Sequence, residues 1–151
     1  MNWYTKVTQN LALLPDFILH YENLLDTARF DCGIKGNVER NLAALPGVTE
    51  QHFARIQEIE AVLNFLNIEL KKIRSKTFKK YLENYQRALT SRDAERYVDS
   101  EQDVVDMETL VNEVALLRNK WLAVMKGLDQ KSFMLGHIVR IRVAGMEDLS
   151  L

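Results

Sequence analysis

The sequence predicts an all-α fold: an antiparallel pair of long helices, shorter N- and C-terminal helices packed around them, and self-association. Apolar residues recur at 3-4 spacing over two long stretches, the period of a single helix face. Neither Gly nor Pro occurs between residues 48 and 126, so nothing in that window punctuates a helix. Six glycines and two prolines in 151 residues are too few for the many turns of a β sandwich or barrel.

Residues 1–45 read as two or three short helices, and residues 46–151 as a long-helix core with a C-terminal assembly segment, together one domain. Leu14-Pro15 and Leu45-Pro46-Gly47 break the first third, because a residue before proline avoids the α region. Asn10-Leu11-Ala12-Leu13-Leu14-Pro15 returns as Asn41-Leu42-Ala43-Ala44-Leu45-Pro46, yet two copies with diverging flanks do not make a solenoid. Between them Asp31-Cys32-Gly33-Ile34-Lys35-Gly36-Asn37 reads as a loop.

Thr49 is the expected cap of the first long helix, with Glu50 near its positive end. Its stripe is Ile56, Ile59, Leu63, Leu66, Leu70 and Ile73. The register then slips to Phe78, Leu82, Tyr85 and Leu89, as a stutter or bend produces. Polar residues 90–103 predict a turn, after which Asp99 or Ser100 caps a second long helix. That helix carries Met107, Leu110, Val114, Leu117, Trp121, Val124 and Leu128 on one face, with an end or weak point at Gly127 and Asp129. A last helical segment spans residues 131–143.

One cysteine, Cys32, excludes a disulfide framework or a Cys-rich zinc site and fits a reducing compartment. No 18-residue apolar stretch and no signal-peptide pattern occur, so a cytoplasmic protein without membrane contact is expected, in the host cytoplasm if phage-encoded. Other chemistry is thin. His20, His52 and His137 are scattered without HExxH spacing, and each reads as structural. No phosphate-binding glycine loop is present, and Cys32 has no obvious basic partner. Glu58 and Glu60 fall on different sides of a helix. No enzyme, metal or cofactor is therefore expected.

The formal net charge of -1 hides a segregation. Residues 69–92 hold eight basic residues against two acids, residues 93–113 eight acids against Arg96, and residues 118–142 six basic residues against Asp129. In the first zone Lys71, Lys72, Arg74, Lys76, Lys79, Lys80 and Arg87 are candidate phosphate contacts. Tyr81 and Tyr85, with Phe78, stand among them as candidate stacking platforms for unpaired bases. The same pattern also fits a solvated helix face whose aromatics pack inward. In the acidic zone Asp99, Glu101 and Asp103 alternate like the start of a calcium loop. Val104 stands where that loop needs glycine and Leu110 where it needs the bidentate Glu, so helix capping and the macrodipole explain the acids.

Residues 96–105, RYVDSEQDVV, then a long helix containing Trp121, then residues 131–138, KSFMLGHI, resemble the UvsY family of recombination mediators from T-even-like bacteriophages. Upstream, Leu45-Pro46, a long helix, and Lys79-Lys80-Tyr81-Leu82-Glu83-Asn84-Tyr85 follow that family's order, so the resemblance spans roughly residues 45–146. It implies a non-enzymatic homo-oligomer, ring-like, that binds single-stranded DNA, helps displace the single-strand binding protein and loads a RecA-like recombinase. The family's DNA-contacting segment matches Lys79 and Lys80, with Lys76 and Arg87 beside them. Its assembly helix matches the run from Phe133 to Arg142, which places Phe133, Leu135, Ile138 and Ile141 at the oligomer contact. The competing expectation is a helical adaptor or regulatory protein-interaction module without DNA binding.

Overall fold

The computed structural model describes residues 1–84 and 88–145. The described residues form five α-helices and one 3-10 turn, with no strand: α1 (Trp3–Gln9), the turn (Leu11–Leu13), α2 (Leu14–Asp31), α3 (Val38–Asn84), α4 (Ser91–Ser100) and α5 (Gln102–Val143). The all-α expectation holds. The chain forms two compact units, Met1–Ile59 with Leu117–Leu151, and Glu60–Leu116. Their borders fall inside α3 and α5 rather than near residue 45.

In the first unit Asn2 caps α1, its Oδ1 accepting from the Thr5 N–H at 2.8 Å. Asn10 caps the 3-10 turn by accepting from the Ala12 N–H, and Pro15 sits at the start of α2, where a missing N–H costs nothing. Val7, Leu14, Phe17, Tyr21, Leu25 and Ala28 are buried. Across from them, α5 buries Leu117, Trp121, Val124 and Leu128, and α3 buries His52, Ile56 and Ile59. Two ends of this unit show α3 and α5 running antiparallel. The His52 ring lies tilted against Trp121 with centroids 5.6 Å apart, whereas the earlier Val38 packs with the later Leu135 and Ile138.

Trp121 is the centre of this core. Tyr21 meets its ring edge-on and the Arg55 guanidinium lies 5.5 Å from its centroid. His52 Nε2 is 2.7 Å from Asp31 Oδ2, and Arg55 Nη1 is 3.2 Å from His52 Nδ1. A guanidinium only donates, so the hydrogen bonds assign the proton to Nε2, which donates to Asp31. His52, 1 % exposed, is thus satisfied at both nitrogens.

Four boundaries differ from the sequence expectation. First, α3 begins at Val38 rather than after Thr49. Asn37 caps it, its side chain accepting from the Arg40 N–H at 3.1 Å, and Pro46 lies inside the helix. Second, residues 91–100 form α4 instead of an open turn, because Thr90 caps the Asp93 N–H while Ala94 and Val98 are buried. Third, neither Asp99 nor Ser100 caps α5. Asp99 pairs with Arg74, the Ser100 hydroxyl bonds back to Tyr97 O, and Glu101 alone separates the two helices. Fourth, α5 runs unbroken through Gly127 to Val143, so residues 131–143 belong to it rather than forming a separate helix. Gly127 has a packing role: a Cβ there would stand 2.7 Å from Cys32 Sγ.

In the second unit α3 buries Val62, Leu63 and Leu66, with Leu70 and Ile73 half-buried, and α5 buries Val104, Met107 and Val114. The predicted stripes on both helices therefore face inward. After Ile73 the buried position is Thr77, whose hydroxyl donates to the Ile73 carbonyl at 2.8 Å, while Leu82 is exposed. Tyr85 lies outside the described residues, and Leu89 is half-buried.

Candidate nucleic-acid interface

The basic candidates of residues 71–81 sort onto two sides of α3. At 100° per residue Lys71, Lys72, Lys76 and Lys79 fall within an arc of about 140°. Together with Ser75 they line one open groove of about 480 Å³, and all four lysines are exposed. Lys72 reaches Glu69 at 2.7 Å, an exposed i,i+3 pair. Lys71, Lys76 and Lys79 make no ion pair among the described residues. The groove is a strip of exposed ammonium groups on one helix, which attracts phosphates without selecting a base.

Arg74, Phe78 and Tyr81 occupy the other side, against α4 and the start of α5. Arg74 forks between two acids, Nη2 to Asp99 at 2.6 Å and Nη1 to Glu108 at 3.0 Å. Phe78 lines a second cavity of about 350 Å³ with Arg74, Glu95, Val98 and Asp99. The Tyr81 hydroxyl donates to Glu101 Oε2 at 2.7 Å, and its ring stacks on Tyr97 with centroids 5.4 Å apart. Lys80 stands at the edge between the two sides, its Nζ 3.8 Å from Glu101 Oε1. One carboxylate thus engages two neighbouring candidates. Tyr85 and Arg87 lie outside the described residues.

The geometry separates electrostatic from stacking chemistry. Phosphate attraction belongs to the four-lysine groove, whereas Phe78 and Tyr81 point toward α4 and one face of Tyr81 is already covered. Partners missed in the sequence are Asp99, Glu101 and Glu108, which hold Arg74, Lys80 and Tyr81. The available signal was the abrupt change from a basic to an acidic zone at residue 93, which places opposite charges on either side of one turn.

The candidate assembly residues also separate. Leu135 and Ile138 are buried in the first unit's own core with Val38, packed against Ile34 and Leu45. Ile141 is half-buried. Phe133 is 62 % exposed, its ring edge-on to His137 at 4.4 Å. An open groove of about 480 Å³ lies nearby, lined by Leu45, Pro46, Phe53, Met125 and Leu128, among others.

Cys32 donates weakly to the Val124 carbonyl at 3.4 Å, and burial, reinforced by the Asp31 carboxylate, pushes its thiol above the ordinary range. That keeps it protonated near neutral pH and a poor nucleophile. Among the described residues no group of three His, Cys, Asp or Glu side chains could hold a metal ion, and no helix is long and apolar enough to cross a membrane. Comparison with protein-family models, curated proteins and solved structures finds no match for this chain.

Proposed function

We propose that this chain is a non-enzymatic single-stranded DNA-binding protein of the recombination-mediator type. The observation that carries the reading is the exposed groove of Lys71, Lys72, Lys76 and Lys79, three of them without an ion pair among the described residues. The resemblance of residues 45–146 to the UvsY family supplies the biological context: a ring-like homo-oligomer that helps displace single-strand binding protein and load a RecA-like recombinase. A single groove makes only a few phosphate contacts and binds weakly. Repetition around an oligomer raises the effective affinity, provided one strand reaches several subunits.

The test is fluorescence anisotropy with labelled oligo-dT across a salt series, with a duplex of equal length beside it. Wild-type protein is expected to bind the single strand more tightly, with affinity falling steeply as salt rises. Lys76→Ala with Lys79→Ala is expected to weaken binding and flatten the log–log salt slope by about 1.4, two contacts at about 0.7 each. Absence of binding at low salt would overturn the proposal. The competing reading, a helical interaction module, draws on the open apolar groove around Phe53 and Met125. It predicts partner binding and no salt-linked DNA effect.

A further inference from the structure

Resting on the DNA-binding reading above, we infer that Glu101 is a restraining carboxylate that holds Lys80, and with it Tyr81, away from a bound strand. Lys72, Lys76 and Lys80 follow one another at i, i+4 and i+8, so their side chains form a row on α3 stepping by about 6 Å. The first two line the open groove, and the third is drawn aside toward Glu101. The geometry is specific to this carboxylate. Its Oε1 lies 3.8 Å from Lys80 Nζ while its Oε2 accepts from the Tyr81 hydroxyl at 2.7 Å.

Its position favours that role. Glu101 is the one residue between α4 and α5, in extended backbone with ψ 133°, and its own carbonyl starts the α5 ladder by accepting from the Val105 N–H. It is therefore fixed by backbone on both sides while its side chain remains 28 % exposed. An anion at that distance cancels part of the Lys80 charge that a phosphate would meet. A strand that displaces Glu101 gains one further phosphate contact, and a Tyr81 hydroxyl released from the same carboxylate. The lysine groove is then the entry surface, and the Glu101 contact sets how far along α3 the strand engages.

Two substitutions separate the parts. Glu101→Gln removes the charge but leaves an oxygen to accept from Tyr81, so it releases Lys80 alone. Glu101→Ala releases Lys80 and the Tyr81 hydroxyl, while the Tyr81 ring stays stacked on Tyr97. Anisotropy with oligo-dT is expected to show Glu101→Gln binding about 1.4- to fivefold more tightly at low salt, the range spanned by an exposed ion pair. Its salt slope steepens by about 0.7, one added contact. In the Lys80→Ala background the gain disappears, a coupling that bulk charge does not produce. Asp103→Asn, a more exposed acid two residues away without an ion pair among the described residues, gives a smaller gain. Circular dichroism verifies that helix content is unchanged.

An equal gain from Asp103→Asn, or a Glu101→Gln gain that survives Lys80→Ala, would overturn the inference by assigning the effect to net charge. A wild type that binds with no gain in either Glu101 variant overturns it while leaving the DNA-binding reading intact. Failure of the wild type and both variants to bind overturns both.

Discussion

A methyl group at position 127 meets Cys32 Sγ at 2.7 Å and Cys32 Cβ at 3.2 Å, so this glycine lets α2's end approach α5. Alanine is favoured over glycine in a helix by about 1 kcal/mol. Overpacking costs about 1–3 kcal/mol, and Cys32 is held in place by its bond to Val124 O. Gly127→Ala is therefore expected to lower stability in thermal unfolding, and Cys32→Ala in the same chain to restore part of it. A Gly127→Ala protein more stable than wild type would show that Cys32 moves aside freely. Tyr21 gives a second residue-level test. Burial, then its hydrogen bond to the Glu58 carboxylate, holds its hydroxyl well above the ordinary tyrosine range. The folded chain keeps this proton where the unfolded chain, with a value of about 10, has lost it. Stability is accordingly intact below pH 10 and falls above it, by up to about 1.4 kcal/mol per pH unit for this group. Cys32, shifted in the same direction, adds to the fall. Urea unfolding of Tyr21→Phe between pH 9 and 11 is expected to show a shallower decline than wild type.

The two near-identical hexapeptides show why element boundaries were harder to read than elements. In the first copy Asn10 is a cap and Pro15 lies at a helix start; in the second Asn41 and Pro46 are both inside α3. The difference lies upstream, where Asn37 caps the helix and Asn41 Nδ2 donates to the Lys35 and Asn37 carbonyls. Local propensity stopped the helix at Leu45-Pro46, and burial of Val38 against Leu135 and Ile138 carried it past. Periodicity, in contrast, marked the core positions from Ile56 to Leu66 and Met107 to Leu128, because a face that must be buried repeats at the helix period. The candidate site was legible as charge but not as direction. Lysines and aromatics alternate along the chain, and only the helix geometry assigns Lys76 and Lys79 to one side and Phe78 and Tyr81 to the other. The interior proline remains costly, since Leu42 O lacks the N–H that residue 46 would donate. Pro46→Ala is expected to raise the unfolding temperature by several degrees, against a helix-interior proline cost of about 3 kcal/mol. Asn37→Ala, removing the cap, is expected to cost about 1 kcal/mol. Paired thermal melts measure both.

At the scale of the whole molecule the open question is which surface is free to meet other molecules, and residues 131–143 bear on it most directly. A stretch that reads as an assembly segment has two of its apolar residues, Leu135 and Ile138, committed to a core within the same chain. Truncating residues 131–151 would therefore uncover Val38, Ile34 and Leu45 as well as remove any contact between subunits. Loss of oligomers after that deletion could not be assigned to the interface. Phe133 offers a cleaner probe. Its side chain is 62 % exposed and stands apart from the Val38 core, so a charge there gives up only the edge-on contact with His137 and leaves that core alone. If copies meet through this part of α5, Phe133→Asp is expected to shift sedimentation velocity toward the monomer with thermal stability unchanged. Leu135→Asp, which places a carboxylate in the core, is expected to cost several kcal/mol and to fail in folding before it fails in assembly. A Phe133→Asp protein with the wild-type sedimentation coefficient excludes Phe133 as an essential assembly contact. It would direct the search for an interface to the groove of Leu45, Phe53 and Met125, where Phe53→Asp is the corresponding variant. Measured with and without oligo-dT, the same sedimentation runs also read avidity. A monomeric variant with its lysine groove intact should still bind, but more weakly than the assembled protein, because each strand then engages a single groove.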